Sequence, residues 1–174
     1  NSTDYALIVA RPFEENNILE LVKAFSKKKR NHKLVILGNY DKSYPYQNNV
    51  LKSSGDEVIF LGAIYDKVIL DLLRLNARFY IHGHSVGGTN PALVEAMAAG
   101  LPVLAHDNPY NRWVAGDGAH YFSNEEELEQ ELEFLLYNNE EIKKMSNSSI
   151  NRYKENFKWE KILDEYEKVF SLYI

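Results

Sequence analysis

The chain has 174 residues, 45% hydrophobic and 26% charged, which fits one ordinary globular domain with room for a core and excludes a disordered or fibrous chain. A formal charge of −5 argues against nucleic-acid binding, and the lack of cysteine removes disulfides, thiolate metal ligands and a thiol nucleophile. No apolar run approaches the roughly 20 residues that span a bilayer and no signal-peptide pattern opens the sequence, so a cytoplasmic setting without a transmembrane segment is expected.

Residues 5–10 form the first short apolar run and lead into Arg11-Pro12. The amphipathic stretch 18–25 reads as a helix, and the basic run Lys27-Lys28-Lys29-Arg30 behind it as a solvated helix C-terminus favoured by the dipole. Further apolar runs stand at 33–37, 58–61, 77–82 and 102–105, with helical patterns at roughly 45–53, 65–75 and 91–99 between them. Strands apolar throughout suit parallel pairing with both faces covered. Their alternation with helices over short connections predicts right-handed βαβ units, hence an α/β class and a Rossmann-like doubly wound parallel sheet. Residues 119–122 are a candidate sixth strand. From Glu125 onward only helix is expected, and the eight Glu against two Lys between Ser123 and Ser149 read as a solvated helical face. Trp159, Ile162, Leu163, Tyr166, Val169 and Phe170 recur at three- and four-residue spacing, the stripe of an amphipathic closing helix. No internal repeat or linker interrupts the chain, so residues 1–174 are expected to be a single domain.

Ligands of such folds gather beyond the carboxyl ends of the strands, which directs attention to the loops after Ala10, Leu37, Leu61, His82 and Ala105. The loop after His82 contains Gly83, Gly87 and Gly88, and a helix then opens with Asn90 as N-cap and Pro91 at its first position. Gly100 and Pro102 end that helix. Unpaired amides in its first turn, the helix dipole and the glycines together form an anion site. Glu95 points away from the Leu93 and Met97 stripe. It is either a solvated glutamate or a carboxylate that accepts hydrogen bonds from ribose or sugar hydroxyls.

The string from Ser85 to Val103, and above all Glu95-Ala96-Met97-Ala98-Ala99-Gly100-Leu101-Pro102-Val103, resembles the donor-domain signature of the group 1 glycosyltransferases of GT-B architecture. The resemblance covers nearly the whole chain. Val9-Ala10-Arg11-Pro12 is similar to the entry strand with its diphosphate-binding arginine, and Leu34-Val35-Ile36-Leu37-Gly38 to the second strand and its glycine turn. Ile59-Phe60-Leu61-Gly62 is similar to the strand beside the base pocket, and Phe157-Lys158-Trp159 to the start of the final helix. His84-Ser85-Val86-Gly87-Gly88-Thr89-Asn90-Pro91 looks most like a rhamnosyltransferase-like branch acting in bacterial surface-polysaccharide assembly.

The resemblance implies the C-terminal, donor-binding half of a two-domain enzyme, its N-terminal acceptor domain lying outside this sequence. The donor is a nucleoside diphosphate sugar and the acceptor a glycan or lipid-linked glycan, which places the protein at the inner face of the membrane. No cofactor or metal is expected, and His82-Gly83-His84 has no third ligand nearby. The residues carried over as catalytic are Glu95, Arg11 and His84. Those expected around the nucleotide also include Asn16, Gly38, Gly62, Ala63, Ile64, Gly87, Gly88, Thr89, Asn90 and Leu93, with Asp107 and Asn108 near the sugar. Each has a plainer reading: Arg11 as a strand-end arginine paired with a carboxylate, His84 as structural, Asp107 and Asn108 as turn formers. The sequence also departs from the family. Gly87 replaces the first of two glutamates spaced eight apart, which leaves the stereochemical outcome open, and Asn16 replaces a lysine that supports the departing diphosphate. Two rival readings are a nucleotide-sugar epimerase of related architecture and a non-catalytic Rossmann-like binding module.

Overall fold

The computed structural model describes residues 4–173. A six-stranded sheet runs through it in the order β3-β2-β1-β4-β5-β6, all neighbours parallel. The strands are β1 (Tyr5–Val9), β2 (Lys33–Leu37), β3 (Val58–Gly62), β4 (Phe79–His82), β5 (Val103–His106) and β6 (His120–Phe122). Between them lie α1 (Ile18–Ser26), α2 (Pro45–Ser53), α3 (Lys67–Asn76), α4 (Pro91–Ala98) and α5 (Pro109–Ala115). The chain closes with α6 (Glu125–Tyr137), α7 (Asn139–Asn156) and α8 (Trp159–Phe170). The expected α/β, doubly wound class is what is observed. Strand order reverses between β1 and β4, so the chains leaving these two neighbours diverge and open a crevice at their carboxyl ends.

Side-chain alternation along the strands feeds two apolar layers. Ile8, Ile36, Phe79 and Ile81 face α1 and α6, where Leu21, Val22, Phe25, Leu132 and Leu135 are buried. Leu7, Val35, Tyr80 and Val103 face the other way, onto Leu93, Ala96 and Met97 of α4. The edge strand β3 departs from the expectation that both faces are covered. Ile59 and Leu61 are exposed, because α3 heads back toward β4 and leaves its own Val68, Ile69, Leu72 and Leu75 in solvent.

Three expectations are corrected. The stretch after β5, read as a turn, contains α5, started by an Asn108 side chain that accepts from the Tyr110 and Asn111 amides with Pro109 next in line. In the basic run Lys27, Lys28 and Lys29 are exposed as expected, and Arg30 is not. Arg30 is 1% exposed, its Nε and Nη2 donating to the Phe25 and Ala24 carbonyls at 3.1 and 3.0 Å and its Nη1 to Glu133 at 2.8 Å. The glutamate face of α6 is solvated but not free of partners, since Lys27 meets Glu125 and Glu129 and Lys28 meets Glu133. Finally, α8 buries no residue: its apolar stripe, Leu163, Tyr166, Val169 and Phe170 included, stands exposed and does not close this core.

His120 joins the end of the sheet to the last helices. Its Nδ1 lies 2.6 Å from Glu131 and its Nε2 3.4 Å from Glu141, with the ring stacked on Phe134. The hydrogen bond to Glu131, with Glu141 adding to it, raises the imidazole pKa above its ordinary 6.5, while Lys144 also faces Glu141 at 3.2 Å. Stability from this clamp is therefore complete below about pH 6.5 and is lost as pH rises through the raised value. The difference in urea stability between the wild type and His120→Gln should shrink from about pH 6 to about pH 9. A difference that stays constant over that range contradicts the assignment.

Candidate functional site

The loops after β1 and β4 border a cavity of about 1200 Å³. They are fastened to one another at the base. Asn17 Nδ2 donates to the Gly83 carbonyl at 2.7 Å and the Ser85 amide to the Glu15 carbonyl at 2.8 Å. The approach is so close that a Cβ on Gly83 would collide with the Asn16 carbonyl. Asn16, expected to touch the donor, is 9% exposed and has both ends of its amide occupied. Its Nδ2 donates to the Arg11 carbonyl at 2.8 Å, which leaves Oδ1 to accept from His84 Nδ1 at 2.9 Å. His84 Nε2 is thereby left as the free nitrogen of a ring held in place. The His84 carbonyl accepts from Asn108 Nδ2 at 3.1 Å and Asn111 Nδ2 at 2.9 Å, so α5 clamps the same loop from the far side.

The anion site is built differently from the sequence expectation. The first-turn amides of α4 are spent: Asn90 Oδ1 accepts from Ala92 N at 3.0 Å, and the Asn90 carbonyl from Leu93 N at 3.1 Å. The Leu93 side chain is fully buried in the core. The loop amides at Val86, Gly87, Gly88, Thr89 and Asn90 have no partner among the described residues, but of these five only Asn90 lines the cavity, and Val86, Gly87, Gly88 and Thr89 are exposed outside its lining. Any side chain at Gly87 would have to displace the Tyr110 ring, 2.7 Å from its Cβ position, so the site has no room for the family's glutamate as it stands.

Arg11 is exposed at the cavity wall, 5.2 Å from the centre of the Phe13 ring, with no ion pair among the described residues. It is the one arginine or lysine lining the cavity, alongside Glu14, Glu15, Asp41 and Glu95. Glu95 is no lone surface carboxylate: Arg74 of α3, buried and also 3.3 Å from Asp71, is hydrogen-bonded to it. Sequence reading passed over Arg74, although a charge on the Leu70 and Leu73 face of an amphipathic helix requires a partner. At the other end of the cavity the Gly38 amide donates to the Gly62 carbonyl at 2.9 Å and the Ala63 amide to Asn39 Oδ1 at 2.8 Å, which places Ala63 and Ile64 along the wall. Asp107 and Asn108 do not line it. The Asp107 carboxylate is gripped by Arg112 at 2.5 and 2.7 Å, a contact that lowers its pKa, and Asn108 is engaged as the cap of α5. Among the described residues no three His, Asp or Glu side chains are grouped to hold a metal ion, and no helix is long and apolar enough to cross a membrane.

An all-parallel doubly wound sheet with its crevice at the switch point defines a Rossmann-like α/β domain. The chain belongs to the glycosyl transferases group 1 family, whose model matches residues 1–152. Among solved structures, sucrose-phosphate synthase from Thermosynechococcus elongatus is 19% identical with a TM-score of 0.82, over 99% of this chain and 47% of that one. HepE from Anabaena, crystallised with UDP, is 14% identical with a TM-score of 0.85, over 97% of this chain and 48% of its own. The C-terminal domain of the group 1 protein LpcC from Francisella tularensis is 18% identical with a TM-score of 0.73, over 89% of this chain and 87% of that domain. This chain thus spans about half the length of the first two. A search of curated proteins returns no match.

Because the Asn16 amide is used internally, Asn16→Ala strands the Arg11 carbonyl and His84 Nδ1. It should cost about 1–3 kcal/mol of folding stability in chemical denaturation. Unchanged stability would mean that the side chain is free for a ligand after all.

Proposed function

We propose that this chain is the donor half of a two-domain glycosyltransferase, C-terminal to an acceptor-binding domain and of the rhamnosyltransferase-like branch. The reading is carried by one observation: Arg11, His84, Asn90 and Glu95 line one crevice at the β1–β4 switch point, and the loop of free amides at 86–89 joins His84 to Asn90. A nucleoside diphosphate sugar fits it end to end. The backbone from Gly62 to Ile64 borders the base, and Glu95, held by Arg74, accepts from the ribose hydroxyls. Arg11, Thr89 and the loop amides receive the diphosphate, and His84 offers its free nitrogen to phosphate or sugar.

In transfer the acceptor hydroxyl attacks the anomeric carbon while the bond from that carbon to the diphosphate oxygen breaks, and the hydroxyl proton passes to a base of the other domain or to the departing diphosphate. Negative charge then grows on the leaving diphosphate, where a preorganised guanidinium and fixed amide dipoles stabilise it without cofactor or metal. With Arg11 the single lining cation, further positive charge comes from the other domain. That domain also brings the acceptor, a polysaccharide or lipid-linked glycan, and seats on the exposed apolar stripe of α8. The share of the longer enzymes that this chain covers supports that division. Binding belongs to this half; transfer requires both, because aligning the acceptor is worth several kcal/mol of barrier, of order 7 or more.

A thermal-shift screen with UDP, dTDP and GDP and their sugars tests the proposal, since a ligand of the folded state raises the melting temperature by mass action. Glu95→Gln is the informative variant, because Glu95→Ala would also strand the buried Arg74. Loss of the charge-assisted bonds should weaken the bound ligand by about 1.5–3 kcal/mol in calorimetry. Arg11→Ala should weaken a diphosphate far more than its nucleoside, and the gap should narrow with added salt. No shift with any of these nucleotides, or equal losses for nucleoside and diphosphate, contradicts the reading.

A further inference from the structure

We infer that His82 is a ligand-contacting residue whose Nε2 hydrogen-bonds the diphosphate–sugar portion of the donor, an assignment that rests on the donor-binding reading above. His82 closes β4 and is only 4% exposed. Two buried side-chain polar atoms lack a partner among the described residues, the Tyr40 hydroxyl and His82 Nε2, and of these two residues only His82 lines the cavity. Buried polar groups are otherwise hydrogen-bonded, so one left open at a cavity wall calls for a partner, and a ligand in the cavity supplies one. The rest of the crevice sharpens the contrast, since Asn16 and Asn90 both use their side chains within the protein.

The chemistry of the ring suits that use. Burial, with His84 alongside at 6.0 Å between ring centres, pushes its pKa down to about 3, so the imidazole is neutral at any working pH. It supplies a hydrogen bond and no charge. Its Nδ1 lies 3.4 Å from the Tyr80 hydroxyl, which is also 3.3 Å from the Val9 carbonyl. The hydroxyl proton can turn to either acceptor. Turned to Nδ1 it leaves an N–H at Nε2 for a phosphate oxygen; turned to Val9 it leaves a lone pair for a sugar hydroxyl. Position selects the end of the ligand. β4 adjoins β1, the strand that leads into the loop bearing Arg11, whereas β3 and the base wall are three strand spacings away, about 14 Å.

An open valence in the free protein gives this residue an unusual signature: removing its polarity should cost binding and not stability. The measurement compares wild type, His82→Leu and the conservative His82→Gln, by thermal melting without ligand and by calorimetry with UDP-glucose, dTDP-glucose, GDP-mannose and the matching nucleosides. His82→Leu should melt at the wild-type temperature or above. It should bind the preferred sugar nucleotide about tenfold more weakly while holding the nucleoside as before, and His82→Gln should recover most of the loss. In the wild type the His82 Nε2 nitrogen resonance should move when the sugar nucleotide is added. A lower melting point for His82→Leu with donor affinity intact makes the histidine structural and overturns the inference, as does a resonance that stays still in saturated protein. Wild-type protein that binds none of the three sugar nucleotides overturns the donor reading itself.

Discussion

The chain leaving β1 and the chain leaving β4 are locked together where they would otherwise diverge, and the whole crevice hangs on that lock. Gly83 lets the backbone of residue 16 come within contact, and Asn16 then bridges outward to the Arg11 carbonyl and across to His84. Loop segments are ordinarily the mobile part of an α/β domain. Here residues 83–85 are held on one side by Glu15, Asn16 and Asn17 and on the other by Asn108 and Asn111. The Arg11 backbone and the His84 ring are thus presented from a prearranged frame, so a ligand need not organise them at its own expense.

Charge is arranged economically around the frame. The buried Arg74 is committed to Glu95 and Asp71, Arg112 to Asp107, and Arg30 to the end of α1, so each structural guanidinium is used up where it stands. Arg11 is the exception, bare beside carboxylates that repel an anion. In the proposed reading a diphosphate is met by one guanidinium and backbone dipoles, with a neutral histidine beneath, rather than by a nest of lysines. Fixed dipoles lose little to salt or proton exchange, and they favour charge that appears during reaction over charge present beforehand.

Much of the fold was legible in the sequence because its causes are local. Continuous apolar runs identified the strands, and Asn90 with Pro91 marked the start of α4 within the chain itself. The same Asn-Pro pair at Asn108 and Pro109 starts α5, but Asp107 before it made a turn equally good, and only packing of Val114 and Ala115 against the sheet decides for helix. What stayed hidden was non-local. Asn16 and His84 meet across 68 residues, and no spacing rule connects them. Asn90 could be named as a cap while its consequence was missed, because a cap that satisfies the first turn moves the free donors back into the loop. The exposed stripe of α8 has the periodicity of a core helix, and periodicity alone does not say which core it completes.

The central claim is that one crevice at the β1–β4 switch point holds a nucleoside diphosphate sugar. Backbone amide resonances followed during titration with the nucleotide that gives the largest thermal shift test it most directly. The account predicts that the largest changes fall on residues 86–90 and Arg11, with a second group at Ala63 and Ile64 and little change around Arg78 and Pro102 at the opposite end of the sheet. Changes gathered at that opposite end, with the 86–90 amides unmoved at saturation, would contradict it.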